Sequence, residues 1–152
     1  MIIGIGIDLV NYNRIEILFN KYGEKLAAKI LSDWEILKFN DKHIANHNDK
    51  SNIKNEASNL FYKNKLINLI AKKLAVTEAI SKASSTGIGK YCRFHDLHLY
   101  NEISGKPQIN VTGQTNQYLS KNNKYRIHIS FSDEIIDAHK IVICNVILCN
   151  VE

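Results

Sequence analysis

The sequence is poor in cysteine and has no long hydrophobic run. Its three cysteines, Cys92, Cys144 and Cys149, are odd in number and show no CxxC spacing. This pattern argues against a disulfide framework or a zinc site and favours a reducing compartment. Charged residues or asparagine interrupt every apolar run within about a dozen residues, so no segment is predicted to span a membrane.

A targeting segment is not visible either, because the chain begins directly with a predicted strand. We therefore expect a cytoplasmic protein, or a protein of the plastid or mitochondrial matrix if a transit peptide was removed. Histidine clusters with metal-ligand spacing are also lacking. His43 and His47 stand four residues apart, but they lie in a polar, Asn-rich segment, which favours an ordinary surface position.

The excess of basic residues narrows the choice of partner only slightly. The formal net charge of +5 suits an acidic partner, which could be nucleic acid, an anionic membrane or an acidic protein. The chain has no RNP-like aromatic pattern, no helix-turn-helix signal and no basic stripe, so a nucleic-acid partner is not expected. A membrane partner is not expected either.

Hydrophobic periodicity predicts a mixture of helices and strands in a single domain of residues 1–152. The first half should contain a buried strand at 2–10, helical structure at 13–30 interrupted by Gly23, a short helix from the capping box at Ser32 to about Lys38, and a polar insertion at about 40–65. A long helix over 66–84 follows, and the glycines of residues 85–89 should end it.

The second half is predicted to consist mainly of strands. They are expected at 94–100, 108–111, 125–132 and 138–151, with a short helix at 114–121 and a longer loop at 133–137. Because the order lacks βαβ regularity, the predicted class is α+β: a mostly antiparallel sheet packed against a long central helix and shorter helices.

Two carboxylates stand in apolar surroundings. Gly4, Gly6 and Asp8 share one face of the first strand, which leaves room for a helix or a ligand to approach just before the carboxylate. Glu78 and Lys82 share one face of the long helix among apolar neighbours. A strand-end turn and a surface ion pair would explain them structurally. Alternatively, the two acids could hold a hard divalent metal with phosphate oxygens and water, a layout suited to phosphoryl transfer.

Other possible motifs are weaker. Residues 86–89 (TGIG) follow a helix instead of preceding one and lack the frame of a nucleotide-binding loop. His128, Ser130 and Ser132 share one strand face, but no Gly-x-Ser-x-Gly elbow is present. A serine hydrolase is therefore not expected.

Six segments form an ordered series along the chain. They are residues 4–8 (GIGID) followed by Arg14 and Ile15, 31–35 (LSDWE), 71–83 (AKKLAVTEAISKA), 85–89 (STGIG), 104–107 (SGKP), and 128–134 (HISFSDE) with Ala138. This series resembles the motifs of the holo-acyl-carrier-protein synthases, the small single-domain 4′-phosphopantetheinyl transferases. The resemblance covers nearly the whole chain except residues about 40–65.

The resemblance implies a specific reaction. Such enzymes move the 4′-phosphopantetheine arm of coenzyme A onto a serine of apo acyl carrier protein, release 3′,5′-ADP, and serve fatty acid biosynthesis. It implies that Asp8 and Glu78 hold Mg²⁺, that Lys82 neutralises charge on the leaving phosphate, and that Glu78 or a metal-bound water takes the serine proton. The implied catalytic residues are thus Glu78 and Lys82.

The resemblance also implies binding residues and an assembly. Contacts to coenzyme A would come from Lys73, Lys82, Gly105, Lys106, Pro107 and Ser130. Arg14 would dock the acidic carrier protein, which would give the positive net charge a reason. A homotrimer with active sites at subunit interfaces is expected.

Three positions of residues 71–83 depart from the family pattern. Thr77 stands where a lysine is usual, Leu74 replaces a phenylalanine, and Lys73 replaces an arginine. The missing lysine puts the rate in question more than the reaction type. A non-catalytic protein that binds coenzyme A or a related nucleotide is the alternative interpretation.

Overall fold

The fold was analysed in a computed structural model, which describes residues 1–44, 56–121, 124–137 and 139–151. The elements in chain order are β1 (Ile2–Asn11), α1 (Tyr12–Tyr22), α2 (Glu24–Ile30), α3 (Asp33–Ile44), α4 (Glu56–Ala83), β2 (Leu97–Asn101), β3 (Pro107–Val111), α5 (Gly113–Leu119), β4 (Tyr125–Ile136) and β5 (His139–Asn150). A single turn of 3₁₀ helix, Phe94–Asp96, precedes β2. The predicted α+β class is confirmed.

Two antiparallel sheets make up the β part. The larger sheet has the order β1-β5-β4, so β5 is its central strand, and β2 pairs with β3 in a separate hairpin. Alternate side chains of β5 lie in the core, namely Val142, Cys144, Val146 and Leu148. The inner face of the larger sheet is therefore apolar and packs against α4.

The long helix α4 forms the centre of the molecule. Its last turns are buried on most sides, because the fully buried residues include Ala71, Ala75, Val76 and Ala79. A helix that is apolar around its circumference has to be covered on several faces. The sheet covers one face of α4, and α1 and α2 pack against others.

Two glycines of β1 allow the strand to lie directly on α4. A Cβ atom at Gly6 would overlap the carbonyl oxygen of Ala79, and one at Gly4 would overlap that of Ala83. The bare strand face predicted from the sequence is thus occupied by the helix backbone. The opposite face of β1 carries exposed side chains: Ile3, Ile5, Ile7 and Leu9. We call these four residues the β1 ridge.

Several predicted boundaries were wrong. The long helix begins at Glu56 instead of about Leu66, and α3 extends to Ile44 instead of Lys38. The predicted insertion at about 40–65 is therefore helical at both ends, while residues 45–55 lie outside the described residues. Periodicity missed these turns because they bury few apolar side chains; Leu60 and Phe61 on α4 are exposed.

The predicted loop at 133–137 was also wrong. Strand β4 continues to Ile136, which pairs with His139, and Asp137 takes a positive φ of 48° at the turn. Side chains at this end of the hairpin are exposed, so apolar alternation could not reveal the strand. Ala138 lies outside the described residues. The predicted strand at 94–100 begins only at Leu97.

Residues with positive φ mark the ends of two helices. Gly23, with φ 55°, separates α1 from α2, as its predicted role as an interruption requires. At the end of α4 the left-handed residue is Ser85 (φ 57°), and not a glycine as predicted. The amide of Thr86 donates to Ser81 O at 3.0 Å and that of Ser85 to Lys82 O at 3.1 Å, which is the Schellman arrangement.

No helix within the described part of the chain is long and apolar enough to cross a membrane.

Candidate active site

Asp8 and Lys82 form an ion pair where β1 meets α4. The Lys82 Nζ donates to Asp8 Oδ1 at 2.7 Å and to the backbone oxygen of Ile7 at 3.0 Å. The pairing follows from the close approach at Gly4 and Gly6, because Asp8 is the next residue on the same strand face. The Asp8 side chain is largely covered, whereas half of the Lys82 side chain is exposed.

Glu78 completes this group. It lies one helical turn before Lys82 and is half-buried. The hydrogen bond that Lys82 donates to Asp8 is the main cause that raises the pKa of Lys82, and the negative charges of Asp8 and Glu78 act in the same direction. The structure thus brings together the three residues that the sequence singled out as the candidate reaction centre, and their mutual charge keeps Lys82 protonated.

The donor set of this group fits a magnesium ion. Asp8 and Glu78 offer hard carboxylate oxygens, and Mg²⁺ is typically bound by one or two carboxylates together with substrate phosphates and water. Among the described residues, no group of three or more His, Cys, Asp or Glu side chains is arranged so that it could hold a metal ion by itself. A closed, all-protein site for a structural metal is therefore absent from that part of the chain, whereas an open site that a phosphate completes remains compatible with it.

The cysteines do not contribute a nucleophile to this centre. Cys92 and Cys144 are buried free thiols, and burial raises the pKa of each to about 12. Since the thiolate is the reactive form, both side chains act as small apolar core residues.

Lys73, predicted to contact coenzyme A, lies in the protein core. Its side chain is 0% exposed, and its Nζ is 2.8 Å from Glu35 Oε2 and also bonds to the backbone oxygen of Leu97. Burial lowers the pKa of Lys73, while the charge of Glu35 opposes this shift. The ammonium is fully engaged inside the protein, so this geometry does not support the predicted contact, which stays a prediction.

Glu35, the partner of Lys73, was predicted from the sequence only as part of the capping box that begins at Ser32. The capping box is confirmed, because Ser32 N donates to Glu35 Oε2 at 2.8 Å and Glu35 N donates to Ser32 Oγ at 3.3 Å. The same carboxylate also accepts from Leu99 N at 2.9 Å. Glu35 therefore ties the start of α3 to α4 and β2, a role for which sequence spacing gives no signal.

A large cavity lies beside the β2–β3 turn. It has a volume of about 1110 Å³, and four of the predicted coenzyme A residues line it: Gly105, Lys106, Pro107 and Ser130. Sequence reasoning missed the other cations of its wall, which are Lys38, Lys42, Lys65 and Lys72. Of these lysines, Lys42 and Lys65 belong to the helical turns that the polar composition concealed. Asp8, Glu78 and Lys82 do not line this cavity.

Two further positions of interest have clear surroundings. Arg14 is exposed in the first turn of α1, where Asn11 caps the helix through Oδ1. Thr77 is fully buried, and its Oγ1 donates to Lys73 O at 2.8 Å. The position that usually carries a lysine is thus filled by a hydroxyl bonded within the helix, and Lys82 supplies the positive charge next to the carboxylates.

Comparison with known proteins identifies the family of the chain. The family model of the 4′-phosphopantetheinyl transferase superfamily matches residues 4–144. The chain belongs to this superfamily. The holo-[acyl-carrier-protein] synthase of Vibrio campbellii is 34% identical to this transferase over 133 residues, which is 88% of this chain and 89% of that protein.

Solved structures show the same fold. The holo-[acyl-carrier-protein] synthase of Neisseria meningitidis superposes on the transferase with a TM-score of 0.74 at 29% identity, covering 99% of this chain and 100% of that one. The Helicobacter pylori holo-[acyl-carrier-protein] synthase, solved in complex with coenzyme A, has a TM-score of 0.66 at 26% identity and covers 95% and 99%. The predicted family, fold and enzyme class are confirmed.

Proposed function

We propose that the chain transfers the 4′-phosphopantetheine arm of coenzyme A to a serine of apo acyl carrier protein and releases 3′,5′-ADP. The observation that carries this proposal is the group formed by Asp8, Glu78 and Lys82, with the Lys82 ammonium 2.7 Å from the Asp8 carboxylate. Two acids and a cation at one helix–strand junction are suited to holding and cleaving a pyrophosphate. The similarity to holo-[acyl-carrier-protein] synthases over most of the chain supports the same reaction.

Each member of the group has a separate task. Asp8 and Glu78 would hold Mg²⁺, which supplies charge neutralisation and orientation of the phosphates when it is bound. The Lys82 ammonium, half exposed and kept protonated by the two acids, lies where it can move from Asp8 to an oxygen of the leaving phosphate. Glu78, directly or through a water molecule, would accept the proton of the attacking serine hydroxyl.

The lysine-rich cavity is the proposed site for the remainder of coenzyme A. Its cations can pair with the pyrophosphate and the ribose phosphate, and Lys106 is presented by a turn in which Gly105 has φ 85°. Ser130 also lines the cavity and adds a hydroxyl. The related synthase of Helicobacter pylori was solved in complex with coenzyme A itself.

A homotrimer would bring the lysine-rich cavity of one subunit next to the Asp8 group of another. The cavity and the Asp8 group do not share a lining residue in one subunit. The β1 ridge, meanwhile, leaves four large apolar side chains exposed next to Asp8. We propose that the ridge is covered by a neighbouring subunit and that the neighbour completes the active site. An acidic carrier protein would dock on the exposed Arg14, in agreement with the net charge of +5.

Transfer can be tested directly by mass spectrometry. Purified protein with coenzyme A, Mg²⁺ and an apo carrier protein should increase the carrier mass by one phosphopantetheine group, and chelation of Mg²⁺ should stop the reaction. Asp8→Asn and Glu78→Gln should each lower the rate on the order of 100-fold or more, because each removes a charge from the reaction centre. Glu24→Gln, a change of an exposed acid at the start of α2, serves as the matched control.

The results separate the reaction from its alternative. Binding of coenzyme A without transfer to several different carriers would favour a non-catalytic binding protein. Full activity of either carboxylate variant would remove that residue from the reaction centre.

A further inference from the structure

The first turn of α1 follows directly on the strand that carries Asp8. Strand β1 ends at Asn11, and α1 begins at Tyr12. The Asn11 Oδ1 accepts from Asn13 N at 2.9 Å and from Arg14 N at 3.4 Å, so this cap satisfies two backbone amides of the turn. A cap fixes where a helix starts. The direction in which the helix leaves the strand depends on contacts with the rest of the protein.

Lys140 supplies such contacts from the start of β5. Its Nζ lies 5.2 Å from the centroid of the Tyr12 ring, 2.9 Å from Asn68 Oδ1 and 3.4 Å from Asp133 Oδ2. An ammonium group carries three N–H groups, and here it meets three partners on three different elements, namely α1, α4 and β4. Because Lys140 itself belongs to β5, one side chain joins four elements.

Tyr12 is held on two sides. Lys140 lies over its ring at a cation–π distance, and the Tyr12 hydroxyl donates to Asn64 O on α4 at 3.2 Å. The next residue, Asn13, places its Nδ2 3.2 Å from Nδ1 of His139, which precedes Lys140 on β5. Burial is the main cause that raises the pKa of Tyr12, so its hydroxyl keeps the proton that it donates. The first turn of α1 therefore cannot tilt without losing at least one of these contacts.

A tilt of α1 would move the proposed docking residue for the carrier protein. Arg14 is exposed in the same turn, two residues after Tyr12. Asp8 lies on the preceding strand, so the angle between β1 and α1 sets the distance from Arg14 to the proposed reaction centre. The carrier serine has to reach that centre while the carrier is docked, which requires a fixed distance between the two.

We propose that Lys140 is a positioning residue for the carrier protein: it holds the first turn of α1 so that a carrier docked on Arg14 presents its serine to the reaction centre. The inference rests on the proposed function. It adds a residue that lies outside the group of catalytic side chains and does not line the lysine-rich cavity. Lys140 acts through Tyr12 and contacts neither substrate.

Steady-state kinetics with the two substrates varied separately test this role. Lys140→Met and Tyr12→Leu should each raise the KM for apo carrier protein on the order of fivefold. The KM for coenzyme A, and kcat at saturating carrier, should stay within about twofold of the unaltered protein. A loss of folded protein alone would lower kcat without raising one KM. Lys140→Arg should keep a normal carrier KM, because a guanidinium also stacks on a tyrosine ring and pairs with a carboxylate.

Combined variants show whether Lys140 acts through its proposed partners. Lys140→Met together with Tyr12→Leu should raise the carrier KM no further than either change alone, because both remove the same contact. Arg14→Ala should raise the carrier KM by itself, and Lys140→Met should add little to it. Tyr12→Leu leaves the net charge unchanged, so its effect cannot come from a weaker attraction of an acidic carrier. A raised carrier KM for Lys140→Met but not for Tyr12→Leu would indicate such a charge effect and overturn the positioning role.

Lys90→Met is the matched control. Lys90 also lies over a tyrosine ring, 5.2 Å from the centroid of Tyr91, but the two are sequence neighbours and their contact lies within one loop. The carrier KM of this variant should not change. An unchanged carrier KM in Lys140→Met and Tyr12→Leu, with a raised value in Arg14→Ala, would overturn the positioning role and leave the proposed function standing. Absence of transfer by the unaltered protein would overturn both.

Discussion

Two lysines of α4 show how strongly the position of one residue decides its role. Lys73 is fully buried and held by Glu35, whereas Lys82, further along the same helix, is half exposed and held by Asp8. A buried ion pair gains little net stability over apolar residues, but removal of one partner leaves an uncompensated charge in the core. We therefore expect Lys73 to stabilise the folded protein and Lys82 to take part in the reaction.

Substitution of Lys73 tests this division. Lys73→Met should lower the free energy of unfolding by about 3–5 kcal/mol, because the Glu35 carboxylate remains buried without its cation. Urea unfolding measures the loss, and the KM for coenzyme A should remain unchanged at temperatures where the variant is folded. Lys72→Met is the matched control; Lys72 lines the large cavity, so its loss should raise the KM and leave stability nearly intact. A raised KM with unaltered stability for Lys73→Met would restore the contact predicted from the sequence.

Only some of these residue positions and contacts could be predicted from the sequence. Asp8, Glu78 and Lys82 were found because acids in apolar segments are rare and their spacing places them on defined faces. The burial of Lys73 could not be found, because its partner Glu35 lies 38 positions away in sequence and no local pattern joins them. Thr77 likewise looked like a lost active-site cation, although the structure shows its hydroxyl bonded to the helix backbone.

At the scale of elements, the contact between β1 and α4 positions the proposed reaction centre. The two glycines of the strand remove the side chains that would separate the backbones, and this brings Asp8 within hydrogen-bond distance of Lys82. Backbone atoms cannot move aside as a flexible side chain can. Even one methyl group at this contact must shift the strand.

Gly6→Ala is expected to disturb both folding and activity. The new Cβ would overlap the carbonyl oxygen of Ala79, so we expect a loss of about 3 kcal/mol or more in the free energy of unfolding. Phosphopantetheine transfer should fall at least to the fraction of the protein that remains folded, because the displaced strand also carries Asp8. Thermal unfolding and the transfer assay measure the two effects.

The control for this substitution is Gly23→Ala. Gly23 has φ 55° but open space around it, so the cost should be limited to backbone strain of about 1–2 kcal/mol. A Gly6→Ala protein as stable as the Gly23→Ala protein would show that strand and helix are less tightly packed than described.

At the scale of the whole molecule, the exposed β1 ridge is the proposed interface between subunits. Ile5 is 68% exposed and lies between Ile3 and Ile7, of which at least half is exposed as well. Contiguous apolar surface of this kind usually marks an interface. Because the ridge adjoins Asp8 on the same strand, the assembly and the reaction centre are expected to depend on one another.

Ile5→Lys tests the proposed trimer. The unaltered protein should sediment with three times the mass of its 17.3 kDa chain, and the variant should sediment as a monomer. The variant should remain folded by circular dichroism but lose most of its transfer activity. Ile103→Lys, which changes a fully exposed isoleucine of the β2–β3 turn, should affect neither mass nor activity. A trimeric Ile5→Lys protein with full activity would place the interface elsewhere.

The sequence by itself determined the class of fold and the order of the main elements, and it singled out Asp8, Glu78 and Lys82 as the candidate reaction centre. These follow from local information, namely apolar periodicity, capping residues and motifs that lie within a few positions of one another. The tertiary structure alone decided that Lys73 belongs to the core, that both ends of the predicted polar insertion are helical, and that Trp34, His98, Tyr100 and Asn110 line one small pocket. Each of these depends on contacts between residues far apart in the chain, and such contacts cannot be predicted from local composition.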